Sequence, residues 1–140
     1  MFDELLINGN ELYPKRTFDE GVRLKIRLPW YRSLPLSCVE RVDVIIDGEK
    51  ISRDNTFLNL YGQHHTMDEV LKQHNTVWFV LDTANIIVNT DKPLEVGNHD
   101  VSVEMKLRVP YRDRESIFID FDFHQIVRCR KNLQFEGRDY

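Results

Sequence analysis

The chain has 140 residues, 41% hydrophobic and 30% charged, with a net charge of −4. That size suits one domain with a real core, and the acidic balance argues against nucleic acid, where a basic stripe is expected. No apolar run approaches the roughly 20 residues of a membrane helix. The start, Met1-Phe2-Asp3-Glu4, lacks the basic and apolar regions of a signal peptide, so a cytoplasmic protein is expected.

Residues 22–28 alternate, with Val22, Leu24, Ile26 and Leu28 on one face and Arg23, Lys25 and Arg27 on the other. This is the pattern of a half-buried strand, and Pro29 stops it by removing a backbone donor. Residues 39–47 form the next predicted strand, with Val42, Val44 and Ile46 inward. Asp47-Gly48 is a hairpin signal, because a type I′ turn needs positive φ and glycine tolerates it. Residues 49–51 start the return strand and residues 56–61 form another. Thr66-Met67-Asp68-Glu69 reads as a capping box opening a helix of about two turns that stops near His74-Asn75. Residues 77–81 and 86–88 are apolar runs of strand length, with Trp78 assigned to the core. Asp91-Lys92-Pro93 and Gly97-Asn98 mark turns. Residues 101–109 alternate again, with Val101, Val103, Met105, Leu107 and Val109 inward, and Pro110 is expected to stop them. Residues 117–123 alternate, and the polar tail from Lys131 is expected to fray. Many short strands and one helical signal predict an all-β fold, an antiparallel β-sandwich or barrel with one short helix, in a single domain over residues 1–140.

Catalytic signatures are scarce. No Gly-rich phosphate loop, nucleophile elbow or HExxH occurs, and Ser33 and Ser37 have no acid–base partner nearby in sequence. Cys38 and Cys129 are far apart and outside any CxxC pair, which favours free thiols over a disulfide or a zinc knuckle. His64 and His65 are adjacent, so in a strand they point to opposite faces; with His74, His99 and His124 they encode no local metal site. Asp120, Asp122 and His124 share a strand face and could do acid–base work. The competing reading pairs these carboxylates with Arg23, Lys25, Arg27, Lys106 and Arg108 across neighbouring strands. The aromatics remain. Trp30, Tyr31 and Arg32 follow Pro29, and Tyr111 and Arg112 follow Pro110. Such residues at a rim are the mix that anchors protein interfaces or lines a pocket; the alternative for Trp30 is to fold back and cap the end of the sheet.

Arg27-Leu28-Pro29-Trp30-Tyr31-Arg32-Ser33-Leu34-Pro35-Leu36-Ser37 resembles the R-x-P-aromatic-Y-R-x-x-P-L-S stretch in the small β subunits of bacterial C-glycoside deglycosidases. The Asp47-Gly48 turn, the Gly97-Asn98-His99 lead into a long strand and Arg108-Val109-Pro110-Tyr111 are similar to theirs as well. The resemblance implies a β-sandwich subunit of a hetero-oligomer. Its larger α subunit would be a TIM barrel holding a divalent metal, typically manganese, together with the acid–base residues. The implied substrates are C-glucosides already oxidised at the sugar C3. A C–C anomeric bond offers no leaving oxygen to protonate, so the two-carboxylate glycosidase scheme fails; a C3 ketone instead acidifies the C2 proton and opens an elimination. On this reading the chain itself carries no catalytic residue and binds no cofactor, and Trp30, Tyr31, Arg32, Tyr111 and Arg112 are partner-facing or pocket-rim residues. The alternatives are a free-standing carbohydrate-binding or protein-interaction module using the same aromatics, and a metal enzyme built on the histidines.

Overall fold

The computed structural model describes residues 6–9, 11–14, 21–30, 32–90, 94–112 and 120–135. Within them the fold is all-β with a single turn of α-helix. The strands are β1 (Glu11–Pro14), β2 (Gly21–Arg27), β3 (Leu34–Pro35), β4 (Val39–Ile46), β5 (Glu49–Lys50), β6 (Thr56–Leu60), β7 (Gln63–Thr66), β8 (Val77–Trp78), β9 (Thr83–Asn89), β10 (Gly97–Arg112) and β11 (Asp120–Phe135), and the helix is α1 (Met67–Val70).

Nine of these strands form one sheet in the order β5-β4-β10-β11-β1-β2-β9-β6-β7, while β3 and β8 pair separately. Neighbours in the large sheet run antiparallel except β1 and β11, which are parallel. β1 therefore joins two halves, and the sheet curls until β4 touches β6 and α1 lies against β4, β6 and β7. The layers of the expected sandwich thus come from one continuous sheet folded over a single core. That core holds the inward residues of both halves, among them Leu24, Ile26, Val44, Leu58, Ile86, Val103, Met105 and Leu107.

The local signals act as their chemistry dictates. β2, β4 and β10 bury alternate residues and turn Lys25, Asp43 and Glu104 outward. Asp47 and Gly48 sit at φ 51° and 85°, the left-handed pair a tight hairpin requires. Thr66 accepts from the Glu69 N–H at 3.2 Å while the Glu69 carboxylate accepts from the Thr66 N–H at 3.3 Å, the reciprocal capping box. The Thr66 backbone N–H first, and the Thr66 side chain second, hold the Glu69 carboxyl below its usual range.

Four expectations change. The helix has one turn rather than two, ending at Val70, with turn bonds from Lys72 and Gln73 back to Glu69 and Val70. Pro110 does not stop its strand: β10 runs on to Arg112, with Tyr111 opposite Phe121 and Arg112 opposite Asp120. β4 pairs with β10 only as far as Leu107, so beyond that point one flank of β10 carries no ladder among the described residues, and a residue without an N–H is tolerated there. The tail from Lys131 is not frayed as far as Phe135, because Leu133 and Phe135 are buried and Lys131 Nζ donates to the Ile7 carbonyl at 2.9 Å. Lastly, residues 77–81 form no full strand; only Val77 and Trp78 pair, with β3.

Candidate functional site

The segment carrying the family-like motif is held by an unexpected partner. Past β2, Trp30 N–H donates to the Leu28 carbonyl at 2.8 Å, turning the chain sharply over the buried Pro29. Leu34 and Pro35 then pair with Trp78 and Val77. Leu36 N–H donates to the Thr76 carbonyl at 2.7 Å and Ser37 N–H to the Gln73 carbonyl at 3.1 Å. Ser33 Oγ accepts from Val80 N–H at 2.9 Å. Residues 33–37 and 73–80 are thus fastened along their length.

The second segment is braced from below. Trp78 is wholly buried, and its indole N–H donates to the Asp82 carbonyl at 2.9 Å. Asp82 N–H donates to the Phe79 carbonyl at 2.9 Å, closing a four-residue turn. Tyr61 reaches across from the β6–β7 hairpin: its hydroxyl donates to Asp82 Oδ2 at 2.5 Å and accepts from Phe79 N–H at 3.1 Å. Desolvation first, and the Asp82 carboxylate second, raise the Tyr61 hydroxyl above its usual value, so it stays protonated as that donor role requires. Tyr61 itself sits at φ 53° ahead of Gly62 at φ 79°. A bulky residue there is strained, and such strain persists only where surrounding contacts impose it.

Of the residues singled out from sequence, Trp30 is half-buried and packs against the core, and Arg32 is exposed. Tyr31 lies outside the described residues. Tyr111 and Arg112 are strand residues of β10 rather than loop residues, and their side chains, like those of Asp120 and Asp122, are not among those described. The structure therefore brings residues 33–37 together with residues 73–80, a juxtaposition that no local pattern encodes. One signal was present: Val77, Phe79 and Leu81 alternate with Trp78, so the outward face of that run is apolar too.

Several titratable groups among the described residues serve the architecture. On the outer face of β4, β10 and β11, Glu104 pairs with Arg41 and, at 2.6 Å, with Arg128. Asp100 pairs with Arg130 at 2.6 Å, and that guanidinium holds the Asp100 carboxyl below its usual range. Glu40 takes His124 at 2.6 Å. These cross-strand contacts use carboxylates other than Asp120 and Asp122, whose side chains lie outside those described, and Arg23 and Lys25 of β2 lie over the Tyr13 ring, at 5.1 and 4.8 Å from its centroid. His99 is buried, with Nδ1 at 2.6 Å from Asp47 Oδ2 and Nε2 at 2.6 Å from the Glu95 carbonyl. The Glu95 carbonyl and an ionised Asp47 both accept, an arrangement that favours the doubly protonated ring. Burial alone would lower its pKa, but the two hydrogen bonds outweigh burial and raise it. His99, and then the Asp100 N–H, hold Asp47 below the usual carboxylate range. Cys38 and Cys129 are buried and not joined in a disulfide. No group of three His, Cys, Asp or Glu side chains able to hold a metal ion occurs among the described residues, and no helix there is long and apolar enough to cross a membrane.

Comparison with known proteins bears on the motif segment directly. The family profile described as C-glycoside deglycosidase beta subunit matches residues 3–111, which span the motif loop and the 76–82 loop. A C-glycoside deglycosidase beta subunit from Arthrobacter globiformis is 37% identical over 97 residues, covering 69% of this chain and 74% of its own. A 3'-dehydrocarminate deglycosidase beta subunit from a Microbacterium species is 32% identical over 111 residues, covering 79% of this chain and 81% of its own. A C-glycoside deglycosidase beta subunit from Microbacterium trichothecenolyticum is 32% identical over 109 residues, covering 75% and 82%. With the profile spanning most of its length and the motif loop built into its fold, the chain belongs to the C-glycoside deglycosidase beta subunit family.

Proposed function

We propose that this chain is the non-catalytic β subunit of a hetero-oligomeric C-glycoside deglycosidase, a carbon–carbon lyase of the cytoplasm acting on 3-oxo-C-glucosides. Family membership is the observation that carries the reading. A relative named for a 3'-dehydro substrate supports the oxidised sugar as the substrate class. The described acid–base groups support the accessory role, since His99, Asp47, Glu104 and Asp100 are engaged in pairs that hold strands and turns together. By the family resemblance, the divalent ion, with manganese the expected one, is assigned to a TIM-barrel α subunit along with the groups that move protons.

In this reading the β subunit stabilises the α subunit and closes part of its pocket, through the Trp30–Arg32 loop and the β10 end at Tyr111 and Arg112. Excluding water there strengthens electrostatic interactions at the reacting centre. The test is reconstitution. Each subunit alone, supplied with manganese and a 3-oxo-C-glucoside, is expected to release little aglycone, and the mixture to release it catalytically. Robust turnover by this chain alone would overturn the assignment.

A further inference from the structure

Arg23, Lys25 and Arg27 are outward residues of β2, each half-buried, while Val22, Leu24 and Ile26 point into the core. The adjoining strands give them neutral neighbours: Ile87, Asn85 and Thr83 on β9, and Tyr13 opposite Arg23 on β1. Among the described residues no carboxylate forms an ion pair with any of the three. The other half of the sheet behaves differently. On β4, β10 and β11, Arg41, Lys106, Arg128 and Arg130 each have a carboxylate partner. On β2, Arg23 and Lys25 are instead drawn over one Tyr13 ring, which holds two like charges side by side. The Arg23 Nε–H is enclosed with no acceptor, and Asn85 Oδ1 on the next strand is enclosed with no donor. Buried polar atoms are nearly always paired, so such exceptions call for a reason. A chain of net charge −4 is rich in carboxylates, yet among its described residues it brings none to this strip.

Resting on the subunit reading, we propose that this basic strip receives an acidic surface of the larger partner subunit, whose Asp or Glu side chains lie against Arg23, Lys25 and Arg27. The occupant follows from charge and spacing. Five residues of strand put Arg23 and Arg27 about 13 Å apart, more than one carboxylate or phosphate group can bridge, so the strip matches a row of acids rather than a single small anion. A second copy of this chain meeting it about a two-fold axis would set the strip against itself, cation on cation. A nucleic acid would be attracted here but repelled by the acidic balance of the whole chain. Arginine and tyrosine are also the residue types that carry energy at protein contacts. Complementary charge of this kind fixes the approach and register of a partner, and at half-buried side chains it weakens as salt is added.

The test uses the full chain with its co-expressed larger subunit, at low and at high salt. Wild-type affinity is expected to fall at least tenfold between the two conditions. Arg23→Gln/Lys25→Gln/Arg27→Gln is expected to melt as wild type does, to bind at least tenfold more weakly at low salt and to lose most of the salt dependence. Lys25→Glu alone should weaken low-salt binding severalfold. Arg128→Gln, on the ion-paired face, should leave affinity within about twofold. Should the triple variant lose stability, Lys25→Glu, read at both salt concentrations, gives the answer. Binding of the triple variant within twofold of wild type at low salt overturns the proposal. So does a wild-type homodimer that the triple variant converts to monomer, since the occupant is then a second copy. Retention of a DNA duplex that the triple variant loses overturns it as well, since the anion is then a phosphate backbone. A wild-type chain that binds no larger subunit at all defeats the subunit reading itself, and this contact with it.

Discussion

The outer face of β4, β10 and β11 and the turn at residues 79–82 both lie at the surface, yet they handle exposure in opposite ways. The first is laid out by alternation alone. Most outward positions carry a charge or a polar group, Ile45 and Ile126 being apolar exceptions, and neighbouring strands place Arg41, Glu104 and Arg128 side by side. The second exposes Phe79 and Leu81 while its backbone donors go to Ser33 Oγ and the Tyr61 hydroxyl. A face that satisfies itself needs nothing further. A turn that is rigid and apolar gains by being covered, and burial of apolar area is the dominant favourable term in association. The contrast teaches that in this chain the regular sheet pairs its outward charges, while an irregular loop fastened to the motif segment leaves apolar side chains uncovered.

The contrast is broken most severely from inside. Trp78→Ala is expected to cost about 3–5 kcal/mol, because it empties a fully buried site, and to release the turn by removing the bond to the Asp82 carbonyl. Leu107→Ala, beneath the charged face, should cost about 2–5 kcal/mol. Urea unfolding measures both losses, and limited proteolysis within residues 79–82 separates them. Per folded molecule, Trp78→Ala should be cleaved there and Leu107→Ala should not; equal cleavage of the two would dissolve the distinction between the regions.

A smaller effect sits at the Asp47–His99 clamp, on the sheet side of the comparison. His99 has a folded pKa raised above its ordinary 6.5. Its stabilisation is therefore fully present below that value and lost as pH rises through the folded one. Asp47 is depressed from 3.8, so its share is present above that value and lost as pH falls through the folded one. Melting temperature should therefore decline as pH is raised from about 6.5, near the ordinary histidine value. Asp47→Asn, which keeps a residue suited to the left-handed turn, should flatten the decline. Identical pH profiles for the two proteins would mean the clamp does not titrate as described. The smallest expected effect is Glu104→Gln, which removes the charge shared by Arg41 and Arg128. Exposed pairs contribute roughly 0–1 kcal/mol, so melting should shift only slightly, by less at high salt, with the complex unaffected.

The regular half was the legible half. β2, β4 and β10 follow from period-two alternation, Asp47-Gly48 from backbone sterics and the start of α1 from its capping box. The second half of β11 was hidden by Lys131, which occupies an inward position between Cys129 and Leu133 and carries its ammonium to the Ile7 and Gly9 carbonyls. A lysine there reads as a polar tail until a partner for its head group is known. Residues 77–81 misled for the converse reason: apolar on both faces, they resemble a buried strand, and only Ser33, Tyr61 and Asp82, brought in from elsewhere, make them a turn. The motif at residues 27–37 was visible as a string, but its fastening to residues 73–80 is a long-range property that no window of sequence contains.

Native mass spectrometry of this chain co-expressed with its larger neighbour subunit tests the central claim most directly. The account predicts one particle that contains both polypeptides and persists through purification. Recovery of this chain only as a free monomer, with the larger protein folded and present in the same lysate, would contradict it.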